Sequence, residues 1–299
     1  MPTIDMKLPK NLLKIKQFTA QEADKYFKDE NGPLFAARIK STGPAEQKTY
    51  GGVTVTFHNQ NKDPGYDMKK EAVKTALEQI DKFKTQFGLP GNVLKVYCYG
   101  DKQAGVGYVL MNGTSRQATL LLGTTAVADN NSILAAQIYD YYKPTVTVNA
   151  KAKRALAVIV HELGHIFHQL HNPSHYICLG ELSLLANKSQ GELDKEYKDT
   201  FETHFPAKPK FTELQAVRDE IQKAGANVSS YASAALPDVV AEVFCGLMMG
   251  APFGNDVLDV YKAMGGPTIP DGMAHVRKGQ DNWFKKKIYA INKALDTGH

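Results

Sequence analysis

The chain has 299 residues, 43% of them hydrophobic and 22% charged, which excludes disordered, collagenous and coiled-coil proteins and leaves enough length for a large core. Lys and Arg exceed Asp and Glu by 36 to 31, a net charge of +5. With its basic residues scattered, so small an excess argues against a nucleic-acid partner. Three cysteines (Cys98, Cys178, Cys245) without CxxC spacing imply no disulfide framework. The N-terminus lacks the basic flank and apolar run of a signal peptide, and no stretch has the roughly 18 apolar residues of a membrane span.

Residues 1–48 are polar and Lys-rich, with one short helix expected near Thr19–Phe27, where Thr19 and Glu22 stand at capping-box spacing. Val53–Phe57 alternates as a strand does, and Asn59–Gly65 reads as a loop. Met68–Phe87 carries apolar residues at helical spacing and stops at Gly88-Leu89-Pro90-Gly91. Three short strands follow, at Val93–Tyr99, Gly107–Met111 and Ala118–Thr124. A long helix is then expected over Ala150–His171, with one stripe of Leu156, Ile159, Val160, Leu163, Phe167 and Leu170. Further helices are expected at Tyr176–Ala186, Glu192–His204, Phe211–Ala224, Pro237–Met249 and Trp283–Leu295. This order predicts an α+β chain with two lobes around a cleft.

The long helix contains His161-Glu162-Leu163-Gly164-His165. Positions i and i+4 share one helix face, so both imidazoles can bind a single Zn²⁺. Glu162 lies about 100° further round the helix, where a carboxylate can exchange a proton with water at the metal without ligating it. The uncharged flanks Val158–Val160 and Ile166-Phe167 suit a buried helix with only its ligand face open.

A third ligand is needed, and four residues compete for the place. His171 stands ten residues after His161, a spacing that resembles the metzincin pattern HExxHxxGxxH, but that pattern has Gly where His168 stands, and an unbroken helix carries His171 about 15 Å along the axis. Glu181 follows a turn and can return a carboxylate to the site. Asp238 and Glu242 stand at i and i+4 of one helix, so either can ligate while the other supports it. Their plainer reading is a helix-starting acid and a solvated Glu.

With His161, Glu162 and His165, the chain resembles the HExxH zincin metallopeptidases over roughly residues 65–250. Val228-Ser229-Ser230-Tyr231 followed by Asp238–Phe244 resembles the motif of the anthrax lethal factor-like and Mlc titration factor-like peptidases, with Asp where that motif usually has Glu. The resemblance implies a zincin-like two-lobed fold, with residues 1–60 an extension of unknown role, an upper lobe over about 61–172 and a helical lower lobe over about 173–299. It implies one Zn²⁺ held by His161, His165 and either Asp238 or Glu242, with Glu162 as general base and Tyr231 as donor to the oxyanion. It also implies that Ala118–Thr124 is the edge strand that pairs with substrate backbone. A metalloendopeptidase acting on protein or peptide is therefore expected, cytoplasmic or delivered as a toxin or effector by a signal-peptide-independent route. The competing expectation is a zincin-fold binding or regulatory protein.

Overall fold

A computed structural model describes residues 1–39, 43–81, 89, 93–99, 105–127, 150–184, 202–229, 231–248 and 253–268. The chain is mixed α and β. A hairpin of β1 (Thr3–Lys7) and β2 (Leu12–Lys16) comes first, then α1 (Ala20–Tyr26), a π-helical turn (Phe27–Asn31) and α2 (Gly32–Arg38). Strands β3 (Ala45–Tyr50), β4 (Val53–Asn59), β5 (Val93–Cys98), β6 (Gly105–Asn112) and β7 (Ser115–Leu122) form one sheet in the order β3-β4-β5-β7-β6. Its helices are α3 (Tyr66–Asp81), α4 (Ala150–His171), α5 (Pro173–Leu184), α6 (Phe211–Ala226), α7 (Leu236–Met248) and α8 (Asn255–Ala263).

In the sheet β4, β5 and β7 run parallel, while β3 and β6 lie antiparallel on the two outer edges. Alternation sorts each strand between two faces. Leu94, Val96 and Cys98 of β5 join Leu120 and Leu122 of β7 in the main core with α3, α4 and α7, whereas Tyr97 and Leu121 face the other way with Tyr108, against Phe35 and Ile39. Helix α7 is buried from Val239 to Met248, as its nearly uninterrupted apolar run demands. Among the described residues no helix is long and apolar enough to cross a membrane.

The expected assignment of Ala118–Thr124 as an edge strand is corrected by this order. Strand β7 is hydrogen-bonded on both sides, to β5 and to β6, and has no free edge for another chain. The outer strand beside α4 is β6, because β7, joined to it through the Gly113-Thr114 turn, takes the place next to β5.

The polar N-terminal region holds more structure than its composition suggests. Thr19 caps α1 as expected, with the reciprocal bonds of a capping box to Glu22. The β1–β2 hairpin escapes a reading by composition because its lysines alternate with Met6, Leu13 and Ile15, which are buried. Phe18 N–H donates to Ser174 Oγ at 2.9 Å, and Asn11 Nδ2 donates to Glu220 Oε2 at 2.6 Å, so the hairpin is tied to α5 and α6. Residues 1–60 thus feed the same core as the rest, through the hairpin at one end and through β3 and β4 in the sheet at the other. The expected helix over Trp283–Leu295 and most of Glu192–His204 lie outside the described residues.

One buried ion pair fastens the strand ends to α3. Lys69 is fully buried, and its Nζ donates to Asp63 Oδ2 at 2.7 Å and to the Leu122 carbonyl at 3.0 Å. Removing the cation leaves a buried carboxylate without its counter-charge. Lys69→Met is expected to lower unfolding free energy by about 3–5 kcal/mol, measured by urea denaturation; a loss under about 1 kcal/mol contradicts this role.

Candidate metal centre

Helices α4 and α7 cross where both carry small side chains, Gly164 and Ala241. A Cβ at Gly164 would sit 3.1 Å from Ala241 Cα and 3.1 Å from Phe244 Cδ1, so the glycine lets the two helices approach closely. Gly164 lies between His161 and His165, and Ala241 lies between Asp238 and Glu242. The close crossing therefore brings all four polar side chains to one place. It also answers the shortness of aspartate, since a side chain one methylene shorter than glutamate needs a nearer helix.

His165 Nε2 lies 3.2 Å from His161 Nε2 and 3.1 Å from Asp238 Oδ1, and His161 Nε2 lies 3.4 Å from the same oxygen. Ligand atoms at 2.0–2.1 Å from a tetrahedral zinc stand about 3.3–3.4 Å apart. The two imidazoles and the carboxylate can thus form one face of such a site; among the described residues these three make up the group with metal-ligand spacing. His161 is nearly inaccessible, while His165 and Asp238 keep a small exposed fraction.

Glu242 is placed differently from Asp238. Its Oε1 accepts a hydrogen bond from His161 Nδ1 at 2.7 Å, and its Oε2 accepts one from Ser229 Oγ at 3.2 Å. Ser229 Oγ in turn accepts the Ala232 N–H at 2.8 Å. A carboxylate on Nδ1 leaves the lone pair of a neutral ring on Nε2, the atom that faces Asp238.

The charges are strongly coupled. Burial disfavours the charged form of His161, but hydrogen bonds with Asp238 and Glu242 outweigh it and raise the pKa well above the ordinary histidine value. Burial likewise opposes ionisation of Asp238, yet its bonds with His161 and His165 hold the carboxyl below the usual range. The cluster attracts a positive charge, whether a proton or a metal cation.

Glu162 lies on the adjoining face of α4, buried, and its Oε2 accepts the Gly107 N–H of β6 at 2.7 Å. Tyr231 sits in the turn before α7 with its ring 5.6 Å from that of His161 and 44% of its surface exposed. Burial, then the charges of Asp238, Glu162 and Glu242, raise its pKa, so the hydroxyl keeps its proton as a donor. His171, stacked on Phe167, and Glu181 stand apart from the three-residue cluster.

Sequence reasoning passed over Ser229 and Gly107. Ser229 carried no signal beyond its place next to Ser230-Tyr231. Gly107 did carry one, because Gly105-Val106-Gly107 within a strand marks a close backbone approach. Compared with protein-family models, curated proteins and solved structures, the chain matches none.

His168 lies inside the protein and donates from Nε2 to the Met264 carbonyl at 3.0 Å. Burial, reinforced by His175 and His165, pushes its pKa down to about 3, and burial pushes His175 down to about 4. The unfolded chain protonates these rings near pH 6.5, well before the folded chain does. Their contribution to stability is complete above about pH 6.5 and is lost as pH falls through about 4 for His175 and about 3 for His168. Urea midpoints are expected to drop across that window, and His168→Gln, which keeps a donor for Met264, is expected to make the drop shallower; an identical slope in the variant contradicts the assignment. At the helix crossing, Gly164→Val is expected to cost about 1–3 kcal/mol by overpacking, read from the same titration at pH 7.

Proposed function

We propose that the chain is a zinc-dependent metallopeptidase with a zincin-like two-lobed arrangement, in which His161, His165 and Asp238 hold the ion. The observation that carries this reading is the convergence of three ligand atoms at 3.1–3.4 Å from one another, with the Glu162 carboxylate on the next face of the same helix. The donor set of two imidazoles and one carboxylate is one that zinc accepts with a fourth position left open. Bound zinc supplies Lewis-acid polarisation of a scissile carbonyl and makes water acidic enough to be deprotonated near neutral pH.

The chain's own groups do the rest. Glu162 takes a proton from the attacking water and passes it to the leaving amine, acting as base and then as acid. The Gly107 N–H fixes one of its oxygens and leaves the other to face the proton. Glu242 holds His161 through Nδ1, setting both the ring orientation and the nitrogen offered to the ion. Tyr231, on the exposed flank, donates its hydroxyl to the oxygen on which negative charge develops. A peptide bond is the substrate this set suits, since its hydrolysis needs a polarised carbonyl, a base for water and an acid for the amine.

Glu162→Ala is expected to retain about one zinc per chain and the wild-type fold while losing about 10²–10⁴-fold in peptide hydrolysis. His161→Ala is expected to lose the metal. Elemental analysis of the purified variants, with cleavage of a peptide library, tests both. Wild-type activity in Glu162→Ala, or a full zinc complement in His161→Ala, overturns the reading.

A further inference from the structure

The outer edge of β6 is closed by side chains at the point where it meets the site. Residues two apart on a strand turn their N–H and C=O groups to the same side, and on β6 Gly107 and Val109 turn theirs away from β7. All four of these groups are taken. The Gly107 N–H donates to Glu162 Oε2 at 2.7 Å, and the Gly107 carbonyl accepts from Gln169 Nε2 at 3.1 Å. The Val109 N–H donates to Gln169 Oε1 at 3.1 Å, and the Val109 carbonyl accepts from Asn31 Nδ2 at 2.9 Å. Asn31 Nδ2 also donates to Gln169 Oε1 at 3.0 Å. Gln169 and Asn31 are both buried.

The backbone dictates how these amides are turned. An N–H only donates and a carbonyl only accepts, so Gln169 must present Oε1 to Val109 and Nε2 to Gly107. Gln169 stands two helical turns beyond Glu162 on α4, along the same face. Gly107 lies flat on that face, because a Cβ there would run into the Glu162 carbonyl. One residue of β6 is therefore gripped twice from one helix, at its carbonyl by Gln169 and at its amide by Glu162.

We propose that Gln169, locked by Asn31, is a positioning residue for the peptidase reaction. It fixes the register of β6 on α4, so that the Gly107 N–H holds the Glu162 carboxylate in its working orientation. The clamp stands where a further strand would lie, so a peptide pairing with β6 at Gly107 and Val109 must first displace it. Substrate backbone is therefore recognised elsewhere than at these two residues. The kinetic part rests on the peptidase reading; the structural part does not.

Two variants of similar side-chain volume remove the clamp without touching Glu162 or the proposed ligands, namely Gln169→Met and Asn31→Leu. In the full-length zinc-loaded protein, amide exchange by NMR separates the direct effect from the transmitted one. The Val109 N–H loses its partner in Gln169→Met and must exchange faster in any case. The Gly107 N–H is bonded to Glu162, which is untouched, so it reports positioning alone. We expect its exchange to rise about tenfold in both variants, the effect of a weakened hydrogen bond, at unchanged zinc content. Peptide cleavage is expected to show kcat lowered about tenfold with KM unchanged, the pattern of an interaction that matters in the transition state. Unaltered Gly107 protection beside a faster Val109 overturns the proposal, and so does a gain in kcat/KM, which would make the clamp a block on a docking edge. A wild-type protein that cleaves no peptide defeats the peptidase reading alone, and Gly107 exchange still decides whether Gln169 positions this strand.

Discussion

The site depends on how closely two helices pack. α4 and α7 each carry a pair of polar side chains one turn apart, and neither pair has any use without the other. The helices meet at Gly164 and Ala241, where no bulk keeps their axes apart. That contact lies at the middle of both pairs, so one approach brings His161, His165, Asp238 and Glu242 together. The rest of the core works to hold it: the sheet supports α4 from one side, α7 is buried from Val239 onward, and the β1–β2 hairpin is tied to the helices beyond.

Such burial makes every polar group costly unless it is partnered. Around α4 several of these costs are met in sequence along the helix. His161 is met by Glu242, Glu242 by Ser229, Glu162 by the β6 backbone, and Gln169 by that same backbone and Asn31. Each partner comes from a different part of the chain. The bonds that satisfy buried groups are therefore also the bonds that fix the geometry of the site, and a rigid site follows from the requirements of folding.

Much of this is legible in local spacing. The i, i+4 histidines, the long helix and its apolar stripe follow from a period of 3.6 residues, and the Thr19–Glu22 capping box from a separation of three. The difference between Asp238 and Glu242 is not legible in that way. Both lie on the same face of α7, and which of them reaches the shared space and which reaches His161 Nδ1 depends on where α7 crosses α4. The edge strand is not legible for a similar reason, since β6 and β7 look alike as strands and their order in the sheet is set by partners far away in the chain. Asn31 gave no sign of its role, being one polar residue in a polar region.

Alone, the sequence determined which side chains share a helix face, because covalent geometry and the helical repeat set those distances within a few residues. It thus determined a pair of histidines with a carboxylate beside them, and two acids one turn apart on a second helix. The tertiary structure decided which acid faces the histidines, which strand lies outermost, and which side chains close that strand's edge. Those outcomes turn on the approach of elements distant in the chain. That approach is set by packing volume at contacts such as Gly164 on Ala241, which no local spacing records.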